Sequence, residues 1–184
     1  MTLAQAWGQL KRYWTVEILR DEQRSFSFRR VRQKCKRSNR YAYVFWYRIA
    51  YVMHQSGSNF WRRRAKLLNE RISRRYGVEI MLGARVGEGL WIGHPVGIVI
   101  SGYSTIGRNF RVWQNCTVGI KGGDGQKNIT IGDNVRLAAH SCIIGDNVSI
   151  GDDVTFGAMS FVNKDVPSGC TYITQKLSSV MKAD

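Results

Sequence analysis

The stretch IGDNVRLAAHSCIIGDNVSIGDDVTFGAMSFV, residues 131–162, returns to an apolar residue about every six positions. Ile131, Leu137, Ile144, Ile150, Phe156 and Val162 form this ladder, with one slip at Ile144. Towards the N-terminus it continues through Val86, Ile92 and Ile98, slips to Ile100, and runs on through Ile106, Val112 and Val118. Such a period is neither helical nor the alternation of a plain strand. It is the mark of a parallel β-helix built from hexapeptide repeats, each contributing one short flat side with its apolar residue pointing inward. Gly132-Asp133-Asn134, Gly145-Asp146-Asn147 and Gly151-Asp152-Asp153 fall where the chain turns, and these residue types tolerate left-handed backbone angles. Three repeats make a coil of about 18 residues, so the β-helix domain assigned to residues 77–167 holds four to five coils. The tract Gly119–Asn128 breaks the repeat and is expected to loop outward on the working face. Residues 168–184 leave the pattern and are expected to cap the open end.

The rest of the chain is of a different kind. Residues 1–76 carry 19 Lys and Arg against 4 Asp and Glu, whereas residues 77–184 carry 9 of each. The whole formal charge of +15 therefore belongs to the first segment, which also holds 14 of the 21 aromatic residues. This segment has no Pro and only Gly8 and Gly57, so it reads as a helical subdomain ending near Tyr76-Gly77. Helices are expected over Leu3–Glu22, Asn39–His54 and Phe60–Tyr76, the last capped by Ser58 or Asn59. In the second of these, Tyr43, Trp46, Tyr47 and Ala50 share a face; the basic stretch Arg24–Arg40 has no assigned form.

Met1–Trp14 lacks an apolar signal-peptide core, and the longest apolar run, Tyr41–Met53, is too short for a span and carries Arg48. The four cysteines show no CxxC pair, which argues against zinc or a disulfide framework and for a reduced, cytoplasmic setting. The basic, aromatic segment admits packing against the β-helix, peripheral docking at an anionic membrane face, or contact with an anionic glycan. Nucleic acid ranks last, because no recognised binding motif is present.

Among three histidines, His94 sits inside a repeat, at Ile92-Gly93-His94-Pro95. On the pattern alone a corner histidine facing solvent is an equally good reading. The stretches Val78-Glu79-Ile80, Val86-Gly87-Glu88-Gly89 and Ile92-Gly93-His94-Pro95-Val96-Gly97-Ile98-Val99-Ile100 resemble the core motif of serine acetyltransferases. The resemblance is closest to relatives in exopolysaccharide clusters, the colanic-acid type of O-acetyltransferase. It continues through Gln114-Asn115-Cys116-Thr117-Val118-Gly119 and Ile131-Gly132-Asp133-Asn134-Val135, covering about half the chain.

The resemblance implies a left-handed β-helix, a homotrimer, and acetyl transfer from acetyl-CoA to a hydroxyl without a metal. It implies a dyad of carboxylate and histidine fifteen residues apart, a spacing matched by Glu79 and His94, with Glu where the family has Asp. An imidazole, with an ordinary pKa near 6.5, suits deprotonation of an attacking hydroxyl, and a carboxylate on its second nitrogen fixes the tautomer. Backbone N–H groups near Gly119 are candidates for oxyanion stabilisation. For acetyl-CoA the matching positions are Ala138-Ala139 and Gly157-Ala158, small residues that tight coils also need, with Lys176 the candidate for its phosphates. His140 reads as structural or interfacial.

The family's Asp before the catalytic His is here Gly93, and its Arg-His pair falls on Lys127-Asn128. Two of these three groups that would hold serine are thus missing. With Trp113 as a stacking face beside Gln114, this shifts the expected acceptor to a sugar hydroxyl of a surface or capsular polysaccharide or its precursor. Trp113 packing on a neighbouring subunit is an equal alternative. Serine O-acetyl transfer and a non-catalytic β-helix scaffold are the competing functions.

Overall fold

The structure, a computed structural model, describes residues 1–122 and 127–175. Helix α1 spans Leu3–Trp14 and opens on a capping box: the Gln5 N–H donates to Thr2 Oγ1 at 3.2 Å and the Thr2 N–H to Gln5 Oε1 at 2.8 Å. It widens into a π-helical turn over Thr15–Leu19 and stops at Arg20, whose φ of 54° ends the helix before the expected Glu22. The basic stretch contains a helix of its own, α2, Phe28–Arg37, capped by Ser27. Helices α3 (Asn39–Gln55) and α4 (Asn59–Tyr76) form a hairpin around Gly57. Tyr43, Tyr47 and Ala50 are fully buried on α3, but Trp46 is 43% exposed, so the buried face is turned away from Trp46. Many of the segment's aromatics pack together here: Trp14 stacks on Phe45 at 4.5 Å and Tyr43 on Tyr47 at 5.9 Å. No helix among the described residues is long and apolar enough to cross a membrane.

Gly77, at φ 66°, ends α4 and turns the chain into the β-helix. Among the described residues fourteen short strands follow, stacked in parallel into three sheets of five, four and five strands. Sheet A holds β1 (Val78–Ile80), β4 (Ile98–Ile100), β7 (Thr117–Gly119), β10 (Cys142–Ile144) and β13 (Phe161–Val162). Sheet B holds β2 (Arg85–Val86), β5 (Ser104–Ile106), β8 (Asn128–Ile131) and β11 (Asn147–Ile150). Sheet C holds β3 (Trp91–Ile92), β6 (Arg111–Val112), β9 (Arg136–Leu137), β12 (Thr155–Phe156) and β14 (Thr171–Tyr172). The solenoid makes about five turns, and its stacking reaches Tyr172, which pairs with Phe156 beyond the end of the sequence pattern. Residues 176–184 lie outside the described part.

The ladder residues point inward with one exception. Ile143, not Ile144, is buried in β10, in register with Val118 and Val162. The slip therefore falls one turn later, between Ile143 and Ile150. Each inward residue is accompanied by a second two positions earlier, as in Leu90 with Ile92, Phe110 with Val112 and Val135 with Leu137. At about 1.5–3 kcal/mol for each large apolar side chain buried, this doubled ladder is the main stabilising term of the prism.

The helices and the solenoid share one apolar core. Across their junction runs a fully buried ion pair, Arg48 with Glu17. Arg48 Nε donates to Glu17 Oε2 at 2.9 Å, and the guanidinium also donates to the carbonyls of Val86 (2.9 Å) and Gly87 (2.6 Å). Glu17 Oε1 accepts the N–H groups of Gly89 (3.0 Å) and Leu90 (3.1 Å). Tyr13 covers the guanidinium at 3.9 Å. Burial pushes the Glu17 carboxyl up, and Arg48 with the two N–H donors pulls it back.

Candidate active site

His94 lies on the turn after β3, where the chain leaves sheet C for sheet A. The Gly93 N–H donates to Val112 O at 2.7 Å, the Val96 N–H to His94 O at 2.9 Å, and the Gly97 N–H to Gly77 O at 2.7 Å. This last bond ties the turn to the residue that precedes β1. Glu79, the middle residue of β1, points outward between buried Val78 and Ile80, in register with Val99. The structure therefore places Glu79 on β1 and His94 on the turn that leads into β4, the strand beside β1, both exposed. Among the described residues neither side chain is engaged in a hydrogen bond or ion pair within the chain.

Sheet register carries this edge down the prism. Ile92, Val112, Leu137, Phe156 and Tyr172 stack, so Gly93, Trp113, Ala138 and Gly157 form the next row. His94, Gln114, Ala139 and Ala158 form the row after that. Of the four small residues proposed for acetyl-CoA, Ala139 and Ala158 thus share the row of His94, and Ala138 and Gly157 the row of Gly93 beside it. A Cβ added at Gly157 would meet only ordinary contacts, 3.5 Å from Ile173 Cγ1 and 3.6 Å from Tyr172 O. The chain's own packing does not require glycine there. Lys176 lies outside the described residues. Gly119 ends β7 in sheet A, its carbonyl accepting the Gly145 N–H at 3.1 Å.

Gly93 has a different cause. A Cβ built on it would lie 2.7 Å from Trp113 Cδ1, so the tryptophan ring occupies the space a side chain would need. Trp113 packs on Trp91 within its own chain, ring centroids 4.8 Å apart. On Trp91 sits Arg40, 4.4 Å from the ring centre, and its guanidinium donates to Gly93 O at 2.6 Å. Gln114 keeps a buried side-chain oxygen with no hydrogen-bond partner. Lys127 and Asn128 stand at the start of β8 in sheet B, away from the Glu79 sheet, with Asn128 bonded to Thr130 Oγ1 at 3.2 Å. A single chain does not gather them with His94. His140 takes a left-handed turn position, φ 61°, and faces Asn115 at 3.4 Å.

Burial pushes the Cys116 and Cys142 thiols up, and Cys35 to about 11, so a ready thiolate nucleophile is not to be found in them. Among the described residues no group of three or more His, Cys, Asp or Glu could hold a metal. Sequence reasoning passed over Arg40 and Glu17. Arg48 inside an apolar run was the available signal, because a buried cation needs a buried anion and this segment offers only four.

A β-helix edge carrying a histidine and a carboxylate above a row of small residues defines a hexapeptide-repeat acyltransferase. No protein-family model matches the chain. The serine acetyltransferase of Helicobacter pylori (strain ATCC 700392 / 26695) is 33% identical over 137 residues, 74% of this chain and 78% of its own length. That of Synechococcus elongatus is 40% identical over 98 residues, 53% of this chain and 40% of its own. Among solved structures, serine acetyltransferase from Neisseria gonorrhoeae in complex with serine superposes with a TM-score of 0.71 at 26% identity, covering 91% of this chain and 66% of that one. The chain belongs to the serine acetyltransferase family, with its left-handed β-helix, and is an acetyl-CoA-dependent acyltransferase.

These relatives overturn two expectations. The similarity is to proteins named serine acetyltransferase, not to exopolysaccharide enzymes, and polysaccharide acetylation loses its support. The sugar argument rested on Gly93, Lys127 and Asn128. Gly93 is explained by Trp113, and so says nothing by itself about the acceptor.

Proposed function

We propose that the protein transfers an acetyl group from acetyl-CoA to the side-chain hydroxyl of serine. The observation that carries this is the likeness to relatives that bear that activity in their names, and the exposed positions of Glu79 on β1 and His94 on the turn that leads into β4 beside it support the reading. His94 takes the hydroxyl proton as the serine oxygen attacks. Glu79 holds the imidazole in one tautomer and stabilises its cation. The tetrahedral adduct collapses with breakage of the thioester C–S bond, the acetyl group stays on the serine oxygen, and the His94 imidazolium returns its proton to the departing CoA thiolate. Ala138, Ala139, Gly157 and Ala158 leave room for it along the edge, and backbone N–H groups near Gly119 are the candidates to receive developing negative charge. With Gly93 in place of an acidic residue, the unpartnered oxygen of Gln114 is the nearby acceptor for the serine ammonium group. The chain works as a homotrimer, in which a neighbouring solenoid shields the otherwise exposed dyad.

The test is release of free CoA thiol by the purified protein with acetyl-CoA, with and without serine. Serine-dependent turnover, reduced about 10² to 10⁴-fold in His94→Ala, is the expected result. Turnover unaffected by serine, or by the loss of His94, would sink the reading.

A further inference from the structure

Arg40 lies 53 positions before Gly93 in sequence, yet reaches the peptide that carries His94. We infer that Arg40 is a positioning residue: from the first turn of α3 its guanidinium fixes the Gly93–His94 peptide and so sets the direction of the imidazole. This rests on the reading of His94 as the base.

Three contacts from three elements hold Gly93. Its N–H is bound by Val112 of β6, its carbonyl by Arg40 of α3, and its Cα face lies under the Trp113 ring. A glycine without these contacts has wide backbone freedom, and the group it would release is the catalytic one. The bond from Arg40 is charge-assisted, the stronger kind, and Gly93 is buried, so its carbonyl has no water to fall back on. The guanidinium is itself seated flat on Trp91, which leans on Trp113. Arg40 Nε is buried without a partner. The guanidinium is thus placed for the ring and the Gly93 carbonyl at the expense of its own hydrogen bonding. The arrangement gives the helical subdomain a direct hand in the reaction: α3 holds the turn on which the base stands.

Arg40→Met keeps the length and the apolar stem and removes the donor. Its kcat should fall about 10 to 100-fold, the scale of an ångström-size misplacement, with the KM for acetyl-CoA within about twofold. In a His94→Ala background the same substitution should change the residual rate less than about twofold, because there is no imidazole left to aim. Arg40→Lys retains a donor without the planar stack and should recover part of the loss. If Arg40→Met does not fold, Arg40→Lys carries the same comparison, with a smaller loss again confined to the protein that has His94. Imidazole resonances give a readout independent of turnover, since the chain has only three histidines. Arg40→Met should shift or broaden those of His94 and leave His54 and His140 in place. Arg40→Met with kcat within twofold of the parent and an unmoved His94 resonance would overturn the inference, as would an equal loss in the His94→Ala background. Full activity in His94→Ala would instead refute the assignment of the base, whatever Arg40 does.

Discussion

Gly93 and Trp113 fit only each other: the tryptophan edge occupies the place, 2.7 Å away, where a Cβ on residue 93 would have to sit. The position before the base is therefore closed by packing, and an acidic side chain enters only if the ring leaves. Gly93→Asp alone should destabilise the protein by about 1–3 kcal/mol through overpacking, and Gly93→Asp with Trp113→Ala should recover much of that. Urea unfolding of the parent, both single variants and the double variant measures the coupling. Additive effects would show that the two positions are independent.

Arg48 and Glu17 are each useless without the other. Arg48→Met strands a buried carboxylate and should cost about 3–5 kcal/mol. Glu17→Met with Arg48→Met removes both charges, but the carbonyls of Val86 and Gly87 and the N–H groups of Gly89 and Leu90 then lose their partners. The double variant should be less damaged than the sum of the singles, with a coupling of about 1 kcal/mol or more, and still less stable than the parent. Equilibrium denaturation of all four proteins settles both points.

Much of this architecture is written locally, and the rest is not. The six-residue ladder is local, so each rung except Ile143 could be read from spacing and turn residues alone. Ile143 and Ile144 are both apolar, and only the pairing with Val118 and Val162 tells which faces inward. Helix α2 was hidden because its charges mask the one residue that anchors it, Val31. The contacts that shape the site join distant positions: Glu17 to Leu90, Arg48 to Gly87, Arg40 to Gly93. No spacing rule reaches across them. The packing of Gly93 is hidden for the same reason, since Trp113, which fills the space beside it, is a coil away.

The register of β10 has its own test. Ile143→Ala should cost about 2–5 kcal/mol, the range for a large side chain removed from a packed core. Ile144→Ala should cost about 1 kcal/mol or less. Reversal of that order in thermal unfolding would restore the slip at Ile144.

Acid should find the outer carboxylates. The guanidinium of Arg12 holds the Glu88 carboxyl below its usual range, and the N–H and guanidinium of Arg108 do the same for Asp133. A carboxyl lowered by folding adds stability above its unfolded pKa, about 3.9–4.3 for these types, and loses it as pH falls through the folded value. Glu88→Gln and Asp133→Asn should therefore lower Tm at pH 7, with the gap to the parent closing as pH drops below about 4. A gap that widens in acid would contradict this sign.

In the proposed dyad, Glu79 is the member where arm length matters. It stands on a strand whose backbone is pinned at both neighbours, Val78 to Ile98 and Ile80 to Ile100, so the side chain alone must reach the turn of His94. Glu79→Gln keeps the reach and removes the charge that stabilises the imidazolium, and kcat should fall at least about tenfold. Glu79→Asp keeps the charge but shortens the reach by one methylene on a strand that cannot shift to compensate. Its kcat should fall as well, with the KM for acetyl-CoA unchanged in both, since the small-residue rows proposed for the donor do not include Glu79. Steady-state kinetics of the two variants separates charge from reach. A Glu79→Gln enzyme with the parent's kcat would remove Glu79 from the dyad and leave His94 to act without a carboxylate partner.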